Sequence, residues 1–538
     1  MTNASSPPAF RVPASRFAPG LAGELLAGDS AEMIAPLRFL RPGQALDAPA
    51  RAGERAAIAA ELARANQSYG HPRAEELAAR FADPQTRIIV TGQQAGVLGG
   101  PLYSLTKMIG AARWAAQLEE QGIPAVGVFW VATEDHDFRE VAVANTPGSG
   151  QLSSFGLGDD LEPLMPVGMR ILGTPLESLL RDLREAYPSG ADPAAWELLE
   201  SCYRPDARFG EAFSKFMVGL LGERAPLVLD SMLPAMKNAQ RPWLRRLVER
   251  RDGVCDALNA AAGRVERAGR RPQVKGGDRH SALFLIADGA RRRVVWHGDD
   301  QWSLRGVDAA REPVETLLAR IDENPSAVSP GVLARPAIQD AVLGSSLQLM
   351  GPGEVAYLAQ AASLYPVLGI EAPHTTLRPQ MLVFAARQRK YLDGLGLGLS
   401  DLLGSDEALE RRLAPGCGAE EADALREQVL GEIERLKETC VGLDPNLERP
   451  WQKTRDNVDR ALAALSTKMC AAAVRRDEVV HGRLESLRDA CAPGGSPQER
   501  SVCVAHYALR HGLGFGAAAY NQLEVGSDLI QIVDPESA

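Results

Sequence analysis

The sequence has few cysteines and no cysteine pattern that suggests a metal knuckle or a disulfide framework. Its seven cysteines are widely spaced, odd in number and never arranged as Cys-x-x-Cys. These features exclude a disulfide-stabilised scaffold and a zinc knuckle, and we expect most of the thiols to be small buried residues. They are Cys202, Cys255, Cys417, Cys440, Cys470, Cys491 and Cys503.

Long apolar runs and an excess of basic residues are also missing. No window approaches the roughly 18 apolar residues that a membrane-spanning helix needs. The N-terminal MTNASSPPAFRVPASRF lacks the charged start and apolar core of a signal peptide, so we expect a cytoplasmic protein without a membrane partner. The net charge of -10 and the pI of about 5.5 disfavour nucleic acid as the main partner, because nucleic-acid binding normally leaves a basic footprint.

A strand, turn, helix and strand follow one another in fewer than 50 residues. Arg87–Thr91 is a β-branched run, residues 102–121 have helical apolar spacing, and Ala125–Thr133 is a second apolar run. Both runs are apolar on both faces, as expected for parallel strands buried between helix layers. The pattern predicts an α/β fold with a Rossmann-like doubly wound parallel sheet, to which Leu227–Asp230 adds another strand.

The length of 538 residues predicts several structural units rather than one core. Residues 150–205 have no strong strand pattern, and Asp288-Gly289 joins two alternating runs that predict a hairpin, so each region is interpreted as an insertion. The predicted parts are core residues 1–149, 211–271 and 326–400, insertions 150–210 and 272–325, a coiled-coil hairpin 401–495, and a tail 496–538 that packs on the body.

Apolar residues recur every three or four positions in two stretches near the C-terminus. The first contains Leu425, Val429 and Ile433, and the second runs from Val458 to Leu487 after a proline-containing break. This spacing predicts two long helices that form an antiparallel coiled coil. Such a hairpin is also a suitable surface for a homodimer.

Three segments carry residues suited to ligand binding. The first, from Thr91 to Lys107, is a glycine-rich turn that leads into a helix whose N-terminus favours an anion. A structural interpretation, in which the turn only packs the helix on the sheet, stays open. The candidate binding residues are Thr91, Gly92, Gln93, Gln94, Gly96, Gly100 and Lys107.

The second segment, Glu134 to Glu140, follows the predicted strand Ala125–Thr133 directly. Ligands of open α/β sheets bind at the carboxyl ends of the strands. Glu134, His136 and Asp137 are therefore candidate catalytic residues, with His136 as a general base. Asp135 is a candidate binding residue, and Asp135 with Asp137 would hold a hydrated Mg²⁺. The alternative is that Asp137 only caps the next helix.

The third segment contains an arginine helix start and a glycine turn. Arg335 suits bidentate binding of a carboxylate or phosphate, although a lone arginine is more often a surface ion pair. Glu354 is expected in the first turn of a helix, where the electrostatics alone would also favour it. The candidate binding residues here are Arg335, Gln339, Asp340, Gly351, Gly353, Glu354 and Tyr357.

Taken together, the sequence resembles the cysteine-adding enzymes of bacillithiol biosynthesis, also named cysteine ligases. The resemblance rests on Thr91–Lys107, Val128–Glu140, Asn324–Tyr357 and Gln498–Arg500, in that order along nearly the whole chain. It implies a Rossmann-like core with two connecting insertions, a C-terminal coiled coil and a homodimer. It also implies addition of L-cysteine to glucosaminyl malate through an amide bond.

A carboxylate and an amine do not condense spontaneously in water, so we expect ATP, with Mg²⁺, to activate the cysteine carboxyl as an adenylate or acyl phosphate. Two alternatives remain open at this point. One is another nucleotide-dependent transferase or ligase with a different acceptor, and the other is a non-catalytic coiled-coil scaffold. The glycine turn and the acidic segment at predicted strand ends favour an enzyme, because a scaffold has no use for them.

Overall fold

The computed structural model describes residues 12–148, 151–187, 190–274, 280–298, 300–307 and 310–537. Its contacts divide the chain into two compact units. One unit, the α/β unit, contains Pro13–Val383 and the residues from Ser496 onward, and the other, the helical unit, contains Phe384–Gly495. The helical unit therefore begins before the predicted boundary at residue 401.

The strands in the described residues lie in the α/β unit, except that Val12, the first residue of β1, is grouped with the helical unit. They are β1 (Val12–Pro13), β2 (Arg38–Phe39), β3 (Arg87–Gln93), β4 (Ala125–Val131), β5 (Val143–Pro147), β6 (Leu152–Gly156), β7 (Leu227–Asp230), β8 (His280–Ala287), β9 (Ala290–His297), β10 (Gln301–Leu304), β11 (Glu312–Pro313), β12 (Val328–Pro330), β13 (Ser345–Met350), β14 (His374–Leu377), β15 (Gln380–Val383) and β16 (Leu529–Val533).

The helices of the α/β unit are more numerous than those of the helical unit. They are α1 (Leu21–Ala27), α2 (Arg55–Ser68), α3 (Ala74–Ala82), α4 (Tyr103–Glu120), α5 (Phe138–Val141), α6 (Pro175–Ala186), α7 (Pro193–Cys202), α8 (Phe209–Leu221), α9 (Pro234–Glu249), α10 (Arg251–Arg267), α11 (Val314–Glu323), α12 (Arg335–Leu343), α13 (Pro352–Ala361), α14 (Leu364–Leu368), α21 (Gln498–Ser501), α22 (Val504–His511) and α23 (Gly514–Gln522). Those of the helical unit are α15 (Ala386–Leu395), α16 (Leu399–Leu402), α17 (Asp406–Leu413), α18 (Ala419–Leu443), α19 (Glu448–Arg476) and α20 (Glu478–Cys491).

The central sheet confirms the predicted Rossmann-like fold. Among the described residues it has six strands in the order β2-β14-β13-β3-β4-β7, and every neighbouring pair is parallel. Successive side chains of a strand enter opposite cores, since Val128 and Trp130 pack in one cluster and Phe129 and Val131 in another. Both faces are therefore buried, which explains why these strands are continuously apolar in sequence.

The second predicted hairpin is part of a larger antiparallel sheet. Strands β8 and β9 pair across the turn at Asp288 and Gly289, and Asp288 has a positive φ of 51°. The described strands of this sheet follow the order β11-β10-β9-β8-β12. Residues of β8, β9 and β12 line the same cavity as the carboxyl ends of β3 and β4, so this part of the antiparallel sheet lies beside the ends of the parallel strands.

The helical unit contains the predicted antiparallel pair, α18 and α19. Arg426 Nε donates to Asp459 Oδ1 at 2.6 Å, and Trp451 Nε1 donates to the Ile433 carbonyl at 2.8 Å. The prediction that the second helix runs unbroken to Leu487 is wrong. Asp477 has extended backbone angles and accepts from the Val479 and Val480 amides, which ends α19 and starts α20.

Candidate active site

A cavity of about 670 Å³ lies at the carboxyl ends of the central strands. A volume of this size is typical of small-molecule sites, and the end of a parallel sheet is where such sites form. Residues from β3, β4, α4, α13, the inserted sheet and the C-terminal segment line it. Twelve predicted site residues are on its wall: Gly92, Gln93, Gln94, Lys107, Glu134, Asp135, His136, Arg335, Gly351, Gly353, Glu354 and Tyr357.

Lys107 crosses from α4 to the start of α13 beneath the cavity. Its Nζ donates to the Gly92 carbonyl at 2.6 Å and Gln93 Oε1 at 3.0 Å, and lies 2.7 Å from Glu354 Oε2. Three oxygen acceptors use all three ammonium protons. Burial lowers the pKa of Lys107, and the Glu354 carboxylate opposes that shift. Lys107 therefore joins β3 to α13 rather than extending toward a phosphate.

Glu354 holds the α13 start in place. Its Oε2 accepts from the Gly351 amide at 2.6 Å, which satisfies a free N–H of the helix terminus. Burial acts to raise the pKa of this carboxyl, but Lys107, the Gly351 amide and Arg335 outweigh it and the pKa is lowered. Tyr357 donates to Glu354 Oε1 at 3.3 Å and accepts from Arg335 at 3.1 Å.

The acidic segment after β4 is a turn rather than an extension of the strand. Lys237 of α9 lies 3.2 Å from Glu134 Oε2, and Gln94 donates to Asp135 Oδ2 at 2.6 Å. Asp137 is exposed and accepts from the Glu140 amide at 3.3 Å, so it caps α5 as the structural alternative proposed.

The predicted magnesium pair does not fit a metal site. Asp135 and Asp137 belong to different hydrogen-bond networks, and the Arg291 guanidinium lies 3.7 Å from Asp135 Oδ1, where it would repel a cation. Within the described part of the chain, no group of three or more His, Cys, Asp or Glu side chains is arranged to hold a metal ion.

Six predicted site residues lie off the cavity wall: Thr91, Gly96, Gly100, Asp137, Gln339 and Asp340. The amides of Gly96 and Gly100 donate to the carbonyls of Gln94 and Val97, so they are not free to bind phosphate. Thr91 and Gln339 border a separate void of about 10 Å³, and Gln339 accepts from Arg335 at 3.1 Å. At Gly96 and Gly100 the turn therefore packs, as the structural interpretation proposed, whereas Gly92, Gln93 and Gln94 line the cavity.

Asp340 belongs to a buried network behind the cavity. It accepts from Tyr365 and Gln348, each at 2.5 Å, while its Oδ1 has no hydrogen-bond partner. Burial raises the pKa of Asp340 from 3.8 to about 6. A neutral carboxyl suits this position because both hydrogen bonds to Asp340 go to Oδ2, which leaves a buried negative charge only partly compensated.

We expect Asp340→Asn to stabilise the protein above pH 6. The raised pKa means that the native state holds a proton longer than the unfolded chain does. The contribution of Asp340 is therefore most favourable below pH 4 and declines as the pH rises to about 6. Between these pH values the free energy of unfolding falls by about 3 kcal/mol, at 1.36 kcal/mol per pKa unit. Urea unfolding at pH 4, 5, 6, 7 and 8 measures it, and an equally steep decline in the variant would contradict the assignment.

Several cavity residues were not among the predicted site residues: Tyr103, Glu140, Arg291, Arg293, Arg378 and Arg500. The run Arg291–Arg293 within the predicted hairpin was a visible signal, since alternate residues of a strand face the same side. Nothing local in the sequence shows that this strand reaches the central sheet.

Partial burial, with the carboxylates of Asp135 and Asp137 nearby, raises the pKa of Glu140.

The cavity wall carries more positive charge than its own carboxylates neutralise. Lys107 pairs with Glu354, and Arg378 pairs with Glu499 at 2.6 Å. In the described residues, Arg293, Arg335 and Arg500 have no carboxylate within ion-pair distance, and each faces the cavity. Such guanidinium groups favour carboxylate or phosphate ligands.

Comparison with known families accounts for both units. Residues 42–379 match the family model described as "Bacillithiol biosynthesis BshC, N-terminal Rossmann-like domain". Residues 381–534 match "Bacillithiol biosynthesis BshC, C-terminal coiled-coil domain". The chain belongs to the BshC family. In the BshC coiled-coil segment, residues 496–534 return to the α/β unit, where β16 pairs with β15 and Arg500 reaches the cavity.

Similar BshC proteins cover most of the chain. Among the curated relatives named "Putative cysteine ligase BshC" are proteins from Salinibacter ruber, Solibacter usitatus and Thermus thermophilus. The Salinibacter ruber protein is 29% identical, over 88% of this chain and 88% of its own length. The Solibacter usitatus protein is 30% identical over 83% and 84%, and one from Thermus thermophilus is 32% identical over 82% and 90%. None of the helices described in the structure is long and apolar enough to cross a membrane.

Proposed function

We propose that the chain is a cysteine ligase that joins the carboxyl group of L-cysteine to the amino group of glucosaminyl malate. Membership of the BshC family supports this reaction, and so does the charge of the cavity. The observation that carries the proposal is the set of three guanidinium groups without carboxylate partners, Arg293, Arg335 and Arg500. The cysteine carboxylate, the malate group and the nucleotide phosphates are all anionic, whereas a cavity for ligands without anionic groups would not need these charges.

ATP is the proposed source of activation, since transfer of a phosphoryl or adenylyl group to the cysteine carboxylate creates a leaving group. The amino nitrogen then bonds to the carbonyl carbon, the activated oxygen departs with phosphate or AMP, and the nitrogen loses a proton. The guanidinium groups of the wall would bind the phosphates. We expect Mg²⁺ to arrive with the nucleotide, because Asp135 and Asp137 do not form a metal site.

The structure offers Glu140 as the candidate proton acceptor at the cavity rim. Its carboxylate faces the cavity, and its raised pKa makes it a better base than an ordinary glutamate.

We also propose that the protein is cytoplasmic and forms a homodimer. The dimer contact is proposed on α18, because Leu425, Leu436 and Leu443 on that helix are 49%, 56% and 77% exposed. Exposed leucines along one helix are typical of an association surface.

The decisive experiment supplies the purified full-length chain with cysteine, glucosaminyl malate and ATP. We expect an amide product by mass spectrometry, together with either ADP and phosphate or AMP and pyrophosphate. An Arg335→Ala preparation, purified identically, controls for contaminating ligases. Equal product without nucleotide would exclude ATP activation, and product only with another amine would exclude glucosaminyl malate as the acceptor.

A further inference from the structure

Arg291 and His136 connect the inserted sheet to the end of β4. Arg291 lies on β9, and its Nη1 donates to His136 Nδ1 at 3.1 Å. Both side chains line the cavity, yet only 8% of the Arg291 side chain and 27% of the His136 side chain are exposed. The contact is therefore largely shielded from water.

The direction of this hydrogen bond restricts the protonation of His136. A guanidinium group has only N–H donors and stays charged at any physiological pH. It therefore needs a lone pair on Nδ1. A proton on Nδ1, in the cationic ring or in the other neutral tautomer, would place two donors against each other. The compatible form is the neutral imidazole with its proton on Nε2.

Arg291 is held in this position by contacts other than His136. Its Nε donates to Ser329 Oγ at 2.9 Å, and its Nη2 donates to the Pro330 carbonyl at 3.1 Å. Its guanidinium carbon also lies 4.0 Å from the centre of the Phe284 ring, within the range of a cation–π contact. Because β12 and β8 fix the guanidinium independently, it can orient the imidazole rather than follow it.

The groups around His136 compete for Nδ1. Asp135 Oδ1 lies 3.6 Å away, too far for a hydrogen bond, and it already accepts from the His136 amide at 2.7 Å. The charges of Asp135 and Asp137 act to raise the His136 pKa, whereas those of Arg291 and Arg170 act to lower it. Burial, followed by the charge of Arg291, lowers the pKa of His136 despite both carboxylates.

We propose that Arg291 is a positioning residue that keeps His136 neutral with its proton on Nε2, so that His136 donates a hydrogen bond into the cavity. The general-base role predicted for His136 requires a free ring nitrogen, and Arg291 occupies the one that lacks a proton. If the proposed ligase reaction is correct, the Nε2 proton stabilises negative charge that develops on the substrate carbonyl or phosphoryl oxygen. This role in the reaction rests on the proposed function, whereas the tautomer does not.

Nitrogen-15 NMR of the full-length, histidine-labelled chain tests the tautomer without any activity assay. His136→Gln assigns the His136 signals among the eight histidines. At pH 7 we expect a protonated Nε2 and an unprotonated Nδ1. Arg291→Gln should raise the His136 pKa and populate the Nδ1–H form, because the neighbouring positive charge that helps to lower this pKa is lost.

Arg293→Gln is the matched control for Arg291→Gln. Arg293 lies two residues along the same strand and contacts the same Phe284 ring, at 5.6 Å, but does not contact His136. Its substitution should leave the His136 tautomer unchanged. A proton on Nδ1 in the unsubstituted chain would overturn the proposal even if Arg291→Gln failed to fold. Equal effects of the two substitutions would overturn it as well.

The ligase assay separates donation from base catalysis at the same residue. Glutamine retains an N–H donor near the position of Nε2 but cannot accept a proton at neutral pH. We expect His136→Gln to keep kcat within about tenfold and His136→Ala to lose about a hundredfold, the lower range for a positioned proton donor. Equal losses in both variants would reject the donor role. Absence of ligase activity in the unsubstituted chain would reject the proposed function, while the NMR result would still decide the tautomer.

Discussion

Arg378→Met should lower the free energy of unfolding by about 3–5 kcal/mol, because removing one partner leaves a buried charge without compensation. Arg378 donates two hydrogen bonds to Glu499, at 2.6 and 2.7 Å. Their side chains are only 2% and 5% exposed. Urea unfolding of the full-length chain, followed by circular dichroism, measures the loss.

The double variant Arg378→Met with Glu499→Leu distinguishes the charge effect from a packing defect. Replacing both partners of a buried pair by apolar residues is often nearly neutral, so most of the lost stability should return. Arg181→Met is the surface control, since Arg181 and Asp182 are 64% and 58% exposed and such pairs contribute little. A double variant as unstable as the single one would show that packing, not charge, is responsible.

Arg335→Ala should reduce kcat/KM of the proposed ligase about 10- to 150-fold, which corresponds to losing one charge-assisted hydrogen bond of about 1.5–3 kcal/mol. Gln339 and Tyr357 hold the Arg335 guanidinium at 3.1 Å each, so its orientation is fixed before a ligand binds. Arg335→Lys should recover only part of the activity, because lysine cannot form a bidentate contact.

Measuring KM for each substrate separately shows which anion Arg335 binds. A rise confined to glucosaminyl malate would assign it to the malate group, and a rise confined to ATP would assign it to a phosphate. Arg181→Ala, an exposed arginine outside the cavity lining, serves as the control for purification and stability. A change smaller than threefold for every substrate would remove Arg335 from the binding site.

The strands that could be predicted from sequence are those with continuous β-branched or apolar residues. Leu227–Asp230 has the same limits in the structure as in the prediction, and β3 and β4 differ from it only at their ends. Strands β13 and β14 were not predicted, because SSLQLM and HTTL are rich in serine, threonine and glutamine. Their polar groups become acceptable inside the sheet only through tertiary partners, such as Asp340 for Gln348.

The candidate site was predictable where it depends on the position of a strand end. Glu134, Asp135 and His136 lie three to five residues after the end of β4, and they reach the cavity for that reason. Arg291 comes from a strand about 150 residues later, and no local pattern predicts its contact with His136. The glycines were ambiguous, because a turn that packs and a turn that binds phosphate both need them. Gly99 has a φ of 81°, and a Cβ there would lie 2.8 Å from Val504.

The two ends of the helical unit are fastened to each other within the α/β unit. Gln498 donates to the Val383 carbonyl at 3.0 Å and accepts from the Val383 amide at 2.7 Å, so one side chain bridges the exit and re-entry points of the chain. Everything between these points is a self-contained module on a closed loop. A change in the length of that module can therefore leave the α/β unit undisturbed, because insertions are tolerated where the two ends of the inserted segment lie close together.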